Sequence, residues 1–414
     1  MKFLVFLILL PFIVPTKIPA EKSITEKEAN WRRGAIKKLW DERKRMGHTP
    51  LIKYQPPGFP HTIIYMKNET ATPTRNLKHR FAWALLLWAI TEGKVTSRTS
   101  AIYEATSGNT GSAEAYMCRL VGVKYVAVVS DSLELEKVRQ IEKFGGKVLK
   151  VPAKLRNEEA QKIAEKNHGF FMNQFANAEK AEEFHESGNA RHESSNVFHE
   201  ILVQLKRVPD YFIHAAGTGG TISSVGRYIV RYALSTRVIL SDAQFSRFYD
   251  YVIRNKFSSS ENNESDKHSG PGVAGTGYES KKDIVLGNTT SLVRDVISEA
   301  VKIPDIATAA GIRVLSEMGF EFGPSTALNF LVALVKAQQH EKRDPWKTQI
   351  LTTLANDPAD FYTSTYLNNT WLDRKFEEFG GFGGMKCWRA QIIKAINYGA
   401  DFYKSGLKNC PGDY

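Results

Sequence analysis

Apolar and polar positions along the chain alternate between two periods. Short runs of Val, Ile, Tyr and Ala predict strands at Ala101-Ile102-Tyr103, Tyr125 to Val129, Lys147 to Val151, Tyr211 to Ala216 and Arg237 to Leu240. Between them, stretches with apolar residues three and four apart predict helices at Phe81 to Ile90, Ser112 to Leu120, Leu133 to Phe144, Asn157 to His168, Ile222 to Ile229 and Thr326 to Ala337. Gly145-Gly146 and Gly169 fall where helix C-caps are needed, and Ser325 where an N-cap would sit. Strand and helix in alternation imply crossover connections and parallel sheets, an α/β fold. No internal repeat interrupts the pattern. The chain has 414 residues, 42% of them hydrophobic, enough for one or two ordinary cores.

Two loops stand out because each follows a strand and opens a helix. Thr106-Ser107-Gly108-Asn109-Thr110-Gly111 offers hydroxyls, an amide and free N–H groups at a helix N-terminus, a place for a carboxylate or phosphate. Gly217-Thr218-Gly219-Gly220-Thr221 repeats the arrangement. It lacks the Lys-Ser/Thr ending of a P-loop and the spacing of a dinucleotide loop, so a single phosphate is the simpler guest. Upstream, the segment from Lys67 to Arg80 puts Lys78 where a helix begins.

These segments carry a resemblance. Lys67, Glu69, Pro73, Lys78 and Arg80 match the pattern of fold-type II pyridoxal-phosphate enzymes of the cysteine synthase and cystathionine β-synthase family. So, in the same order, do Gly47-His48-Thr49-Pro50-Leu51, Ser132 to Lys137 with Phe144 to Val148, and Asn173 to Asn177. Gly275-Thr276-Gly277-Tyr278, Gly323 to Ala327 and Asp357 with Tyr362 to Thr365 complete the series. The resemblance implies two three-layer α/β domains like those of a tryptophan synthase β-subunit, with the cofactor in the cleft between them. The core would span 47–372, with a smaller domain near 67–176 and a larger one from 47–66 plus 177–372. A polar insertion at 256–270 interrupts it and an extension, 373–414, follows.

The resemblance also assigns roles. Lys78 would carry pyridoxal 5'-phosphate as a Schiff base and act as the catalytic base, since a desolvated lysine amine is a nucleophile. Gly217, Thr218, Gly219, Gly220 and Thr221 would hold the phosphate, Asn109 the phenolic oxygen and Ser325 the pyridine nitrogen. Thr106, Ser107, Thr110 and Gln174 would hold the substrate carboxylate, with Gly275 nearby. A hydroxyl in place of an aspartate at the ring nitrogen makes a weaker electron sink, suited to β-elimination. The implied reaction is β-replacement or β-elimination on serine or O-acetylserine through an aminoacrylate, adding sulfide or a thiol, in a homodimer. Cystathionine or cyanoalanine synthesis is an alternative within the family. The chain departs from the pattern at Asn76, His79 and Phe361, which motivates a second alternative, a non-catalytic sensor or interaction protein. His79 is expected at the surface.

Charge and the chain's start add the remaining expectations. The formal net charge is +12, and Arg32, Arg33, Lys37, Lys38, Arg43, Lys44 and Arg45 crowd the segment 21–46 among Glu26, Glu28, Asp41 and Glu42, as on a solvated helix face. No nucleic-acid motif accompanies them, and no metal site is expected. Phe3 to Val14 is an apolar run behind Lys2, which reads as a secretory signal peptide ending at Ala20, or as an uncleaved membrane anchor. In an oxidising lumen Cys387 and Cys410 are the pair expected to join, leaving Cys118; three free thiols are the alternative. Sequons occur at Asn68, Asn263, Asn288 and Asn368, of which Asn263 in the polar insertion is the expected acceptor.

Overall fold

A computed structural model describes residues 24–185, 194–254, 272–278 and 283–412. Residues 1–20, expected to be a signal peptide or anchor, and the insertion 256–270, with Asn263, lie outside them. In chain order the strands are β1 (Leu51–Tyr54), β2 (Thr62–Asn68), β3 (Ile102–Ala105), β4 (Tyr125–Ser130) and β5 (Lys147–Val151). There follow β6 (Phe170–Phe171), β7 (Tyr211–Ala215), β8 (Arg237–Ala243), β9 (Glu299–Ile303) and β10 (Gln349–Ala355). They form a six-stranded sheet ordered β1-β2-β10-β7-β8-β9 and a four-stranded sheet ordered β5-β4-β3-β6. Among these strands only the edge pair β1–β2 is antiparallel. The expected α/β class with mostly parallel sheets is borne out.

Strand periodicity explains the layers. Along β7, Tyr211, Ile213 and Ala215 enter one apolar cluster with the helices Asp305–Glu317 and Pro324–Arg343, while Phe212 enters another with the helix Gly220–Arg231. In the four-stranded sheet, Ile102, Ala127 and Val129 face the helices Lys78–Thr91 and Asn109–Val121. Tyr103, Ala105 and Val128 face the helix Arg156–Lys166 on the other side. Each sheet is therefore covered on both faces, as parallel sheets require.

Three local expectations are corrected. After the helix Arg156–Lys166 it is His168, at φ 52°, that turns left-handed, not Gly169. Gly169 is needed because a Cβ there would meet the Ala101 carbonyl at 2.7 Å and the Tyr103 ring at 2.5 Å. Ser325 is not an N-cap; the helix begins at Pro324 behind Gly323, with no side-chain cap. The basic segment is a helix, Glu26–Met46, but only one side of it is solvated. Ala35, Leu39 and Glu42 are buried, Trp40 meets Trp83 edge-on at 5.2 Å, and the Trp83 indole donates to the Leu39 carbonyl at 2.8 Å.

The extension 373–414 completes the larger core. Its helix Gly381–Tyr398 packs on Asp305–Glu317, burying Trp388, and a disulfide joins Cys387 to Cys410 at the end of the helix Phe402–Asn409. Cys118 is free and buried. No helix among the described residues is long and apolar enough to cross a membrane. Of the sequons, Asn68 is half-buried and accepts from the Thr70 N–H and hydroxyl, whereas Asn288 and Asn368 are exposed.

A buried knot of charges ties these parts to the start of the helix Lys78–Thr91. Arg80 donates to Glu69 at 2.6 Å and to Glu200 at 2.5 Å; Lys67 and Arg43 each reach Glu200 at 2.8 Å. Burial pushes Glu200 up, but Arg80, Lys67 and Arg43 outweigh it and hold the carboxyl at about 2. Replacing it leaves three cations short of an anion. Glu200→Gln should therefore cost about 3–5 kcal/mol of stability, read by denaturant melts. Because the folded value lies below the ordinary one of 4.5, the stability Glu200 contributes is complete above that pH and should disappear as pH falls toward 2.

Candidate active site

Lys78 is the first residue of its helix, and its backbone N–H donates to the Asn76 side-chain oxygen at 3.0 Å. The half-buried amine makes no hydrogen bond among the described residues and lies 4.8 Å from the Phe81 ring centroid. Burial pushes it down to about 8, against the opposing pull of Glu114 and Glu104. Leu77 donates its N–H to the Asn356 carbonyl at 2.7 Å, so the lysine is pinned against the loop that leaves β10.

The other candidates gather on the same network. Asn356 donates to the Ser325 hydroxyl at 3.0 Å, and the next residue, Asp357, accepts from the Asn109 amide at 2.7 Å and from the Tyr362 hydroxyl at 2.5 Å. Burial raises the Asp357 carboxyl above the usual range despite those two donors. The Thr110 hydroxyl donates to Gln174 at 2.8 Å, and the Gln174 amide donates to the Ala105 carbonyl. Thr106 turns its hydroxyl oxygen inward, accepting from the Gly108 and Gly111 N–H groups; Ser107 is exposed on the same turn.

The glycine loop packs backbone against backbone. Gly219 precedes the helix Gly220–Arg231 at φ 88°, and no side chain caps that helix. A Cβ on Gly219 would meet the Leu292 backbone at 2.4 Å, and one on Gly217 would meet the Gly275 carbonyl at 2.5 Å. Gly275 thus lies against the loop, while Gly277 donates to the Ala216 carbonyl at 2.7 Å. Thr218 holds the Gly220 N–H at 3.3 Å, and its carbonyl accepts from Ser291 at 2.7 Å. His214, three residues ahead of Gly217, is pushed to about 3 by burial and by the Lys78 charge.

The three departures from the motif are structural. His79 is buried, with Nε2 3.0 Å from Glu42 and Nδ1 3.3 Å from the Thr74 hydroxyl, which corrects the surface expectation. A helix outside the motif region supplies its partner, which is why the motif alone misplaced it. Asn76 donates to the Thr74 carbonyl at 2.8 Å. Phe361 is in the core, with the Arg75 guanidinium 5.3 Å from its ring centroid. Sequence reasoning missed Glu104, Glu114 and His214. Each is a charged or polar residue inside an otherwise apolar run, the one signal that could have exposed it.

The family model described as pyridoxal-phosphate dependent enzyme matches residues 43–352. The chain belongs to this family. A Caenorhabditis elegans protein named as pyridoxal-phosphate dependent is 60% identical over 414 residues, 97% of this chain and 94% of its own. The L-cysteine desulfhydrase Cds1 of Mycobacterium tuberculosis is 29% identical, covering 83% of this chain and 90% of its own. The solved O-ureido-L-serine synthase superposes with a TM-score of 0.63 at 25% identity, covering 79% of this chain and 94% of that one. The cofactor of the family is pyridoxal phosphate.

The residues present fit that group. A lysine amine without a hydrogen-bond partner among the described residues suits an aldehyde, and an uncapped helix start behind a glycine at φ 88° leaves N–H groups for a phosphate. Ala at position 219 would have to hold a left-handed conformation and displace Leu292. Gly219→Ala should therefore weaken retention of pyridoxal phosphate about five- to a hundredfold, measured by dialysis and visible absorbance, for a strain of roughly 1–3 kcal/mol.

Proposed function

We propose that the protein catalyses pyridoxal-phosphate-dependent replacement or elimination of the β-substituent of serine or O-acetylserine, with sulfide or a thiol as the incoming nucleophile. The observation that carries this reading is the Lys78 amine, lowered to about 8 and unpartnered among the described residues, on the network that also holds Asn109 and Ser325. When bound, the cofactor ring supplies a sink for the electron pair left at the substrate Cα. Lys78 would hold the cofactor through its amine and would serve as the base for the α-proton.

Gly217, Thr218, Gly219, Gly220 and Thr221 would hold the phosphate. Asn109 would hold the phenolic oxygen and the neutral Ser325 hydroxyl the ring nitrogen, which would leave a weaker sink that favours loss of a β-substituent over transamination. Thr106, Ser107, Thr110 and Gln174 orient the substrate carboxylate, with Gly275 at the edge. The same residues serve for removing the thiol of cysteine, a direction supported by the desulfhydrase relative. A catalytic role is favoured over a sensor because Asn76, His79 and Phe361 are each absorbed by local packing and leave the Lys78 amine available. A homodimer belongs to the same reading. So does entry into the secretory pathway, supported by the apolar run Phe3 to Val14 and by the disulfide.

The test is purified protein supplied with serine, O-acetylserine or cysteine, with and without sulfide. The expected result is a yellow protein that consumes at least one of them, and a Lys78→Ala variant that loses both colour and turnover. A yellow wild-type protein inert toward all three would overturn the reading.

A further inference from the structure

Asp357 is fully buried on the loop that leaves β10, where the larger sheet meets the elements of the smaller one. The chain around it is tied down. The Asp357 carbonyl accepts the Gly323 N–H at 2.8 Å, the Asn356 N–H donates to the Thr326 hydroxyl at 2.9 Å, and the Ala359 N–H donates to the Glu321 carbonyl at 3.1 Å. A side chain on Gly323 would run into the Asp357 carboxyl and meet the Tyr362 ring at 2.7 Å, so the carboxyl occupies space that only a glycine leaves open.

Asn109 reaches that carboxyl from the other side, as the first residue of the helix Asn109–Val121 that covers the four-stranded sheet. Its Nδ2 donates to Asp357 Oδ2 at 2.7 Å, and the Tyr362 hydroxyl donates to the same oxygen at 2.5 Å. Among the described residues the Asn109 side chain makes no other hydrogen bond. The two ends of an asparagine amide have nearly the same shape but opposite polarity, and a carboxylate can only accept, so the end turned to Asp357 is the nitrogen. That nitrogen keeps a second N–H. Burial raises the Asp357 carboxyl, while the Tyr362 and Asn109 donors and the Lys137 charge favour its anion; the Lys137 ammonium, from the helix Leu135–Lys143, lies 4.4 Å from the Tyr362 ring centroid.

On the reading of Asn109 given above, we propose that Asp357 is a positioning residue for that amide, holding one N–H so that the other is presented to the phenolic oxygen of the cofactor. Tyr362 fixes the carboxyl in its turn. Without the carboxylate the amide is free to rotate half a turn and offer its oxygen instead, which an ionised phenolic oxygen repels. The bond also runs from a loop of the larger sheet to a helix of the smaller one, so the donor meant for the cofactor is held in register with both.

The experiment reads the absorbance and retention of pyridoxal phosphate in the full-length protein rather than turnover. A donated hydrogen bond favours the ionised phenolic oxygen, and protonation there shifts absorbance from the visible to the near ultraviolet. In Asp357→Ala, and to a smaller extent in the near-isosteric Asp357→Asn, the visible share should fall. Retention in dialysis should weaken roughly two- to tenfold, the range for one hydrogen bond. Both changes should vanish when the same substitutions are made in an Asn109→Ala protein, which keeps Lys78 and the glycine loop. Thermal melts without cofactor establish which variants fold. Wild-type absorbance and retention in a folded variant, or a loss equally large in the Asn109→Ala background, overturns the assignment of Asp357. A Lys78→Ala protein that colours like the wild type overturns the reading of the site itself, whatever the Asp357 variants do.

Discussion

Arg80, clamped between Glu69 and Glu200, is the contact on which the rest of the site depends. It lies two residues beyond Lys78. Glu69 follows β2 and Glu200 belongs to the helix Val197–Leu205, so this one guanidinium locks the first turn of the lysine helix to the larger sheet and its covering layer. Buried ion pairs rarely add much net stability, because desolvation consumes most of the attraction. What they do provide is geometry. A planar fork with two carboxylates on it admits few arrangements, and the lysine inherits that restriction.

Several groups near the lysine are left short of hydrogen-bond partners among the described residues. Lys78 is given no hydrogen-bond partner among the described residues, Gly219 leaves its helix uncapped, and Asp357 is kept buried between Asn109 and Tyr362. Each would be a defect in an inert core. The family to which the chain belongs is described as pyridoxal-phosphate dependent, and a lysine amine and open helix N–H groups are the kinds of group that suit an aldehyde and a phosphate.

Much of this was legible before any coordinates. The strands and helices follow from periodicities of two and three to four, and the glycine loops stand out because loops between a strand and a helix rarely carry so many residues free of a side chain. What stayed hidden depended on contacts distant in sequence. His79 reads as a surface residue until Glu42, 37 positions earlier, is folded against it. Ser325 reads as an N-cap until Asn356 claims its hydroxyl. Gly169 reads as a C-cap, yet its smallness serves the approach of β3, while His168 makes the turn. Glu104 and Glu114 were hidden differently: a charge inside an apolar run marks them, but that mark does not show that both oxygens of Glu114 will be buried without a donor among the described residues.

The docking of the N-terminal helix bears on how the molecule can be cut. The family match begins at residue 43, inside the helix Glu26–Met46 and one position after Glu42. Excising the recognisable enzyme at that border would discard the acid that seats His79 and the Leu39 carbonyl that holds the Trp83 indole, immediately beside the lysine. The smallest autonomous piece is thus larger than the span 43–352 of the family match, because the helix Glu26–Met46 packs beside the lysine helix.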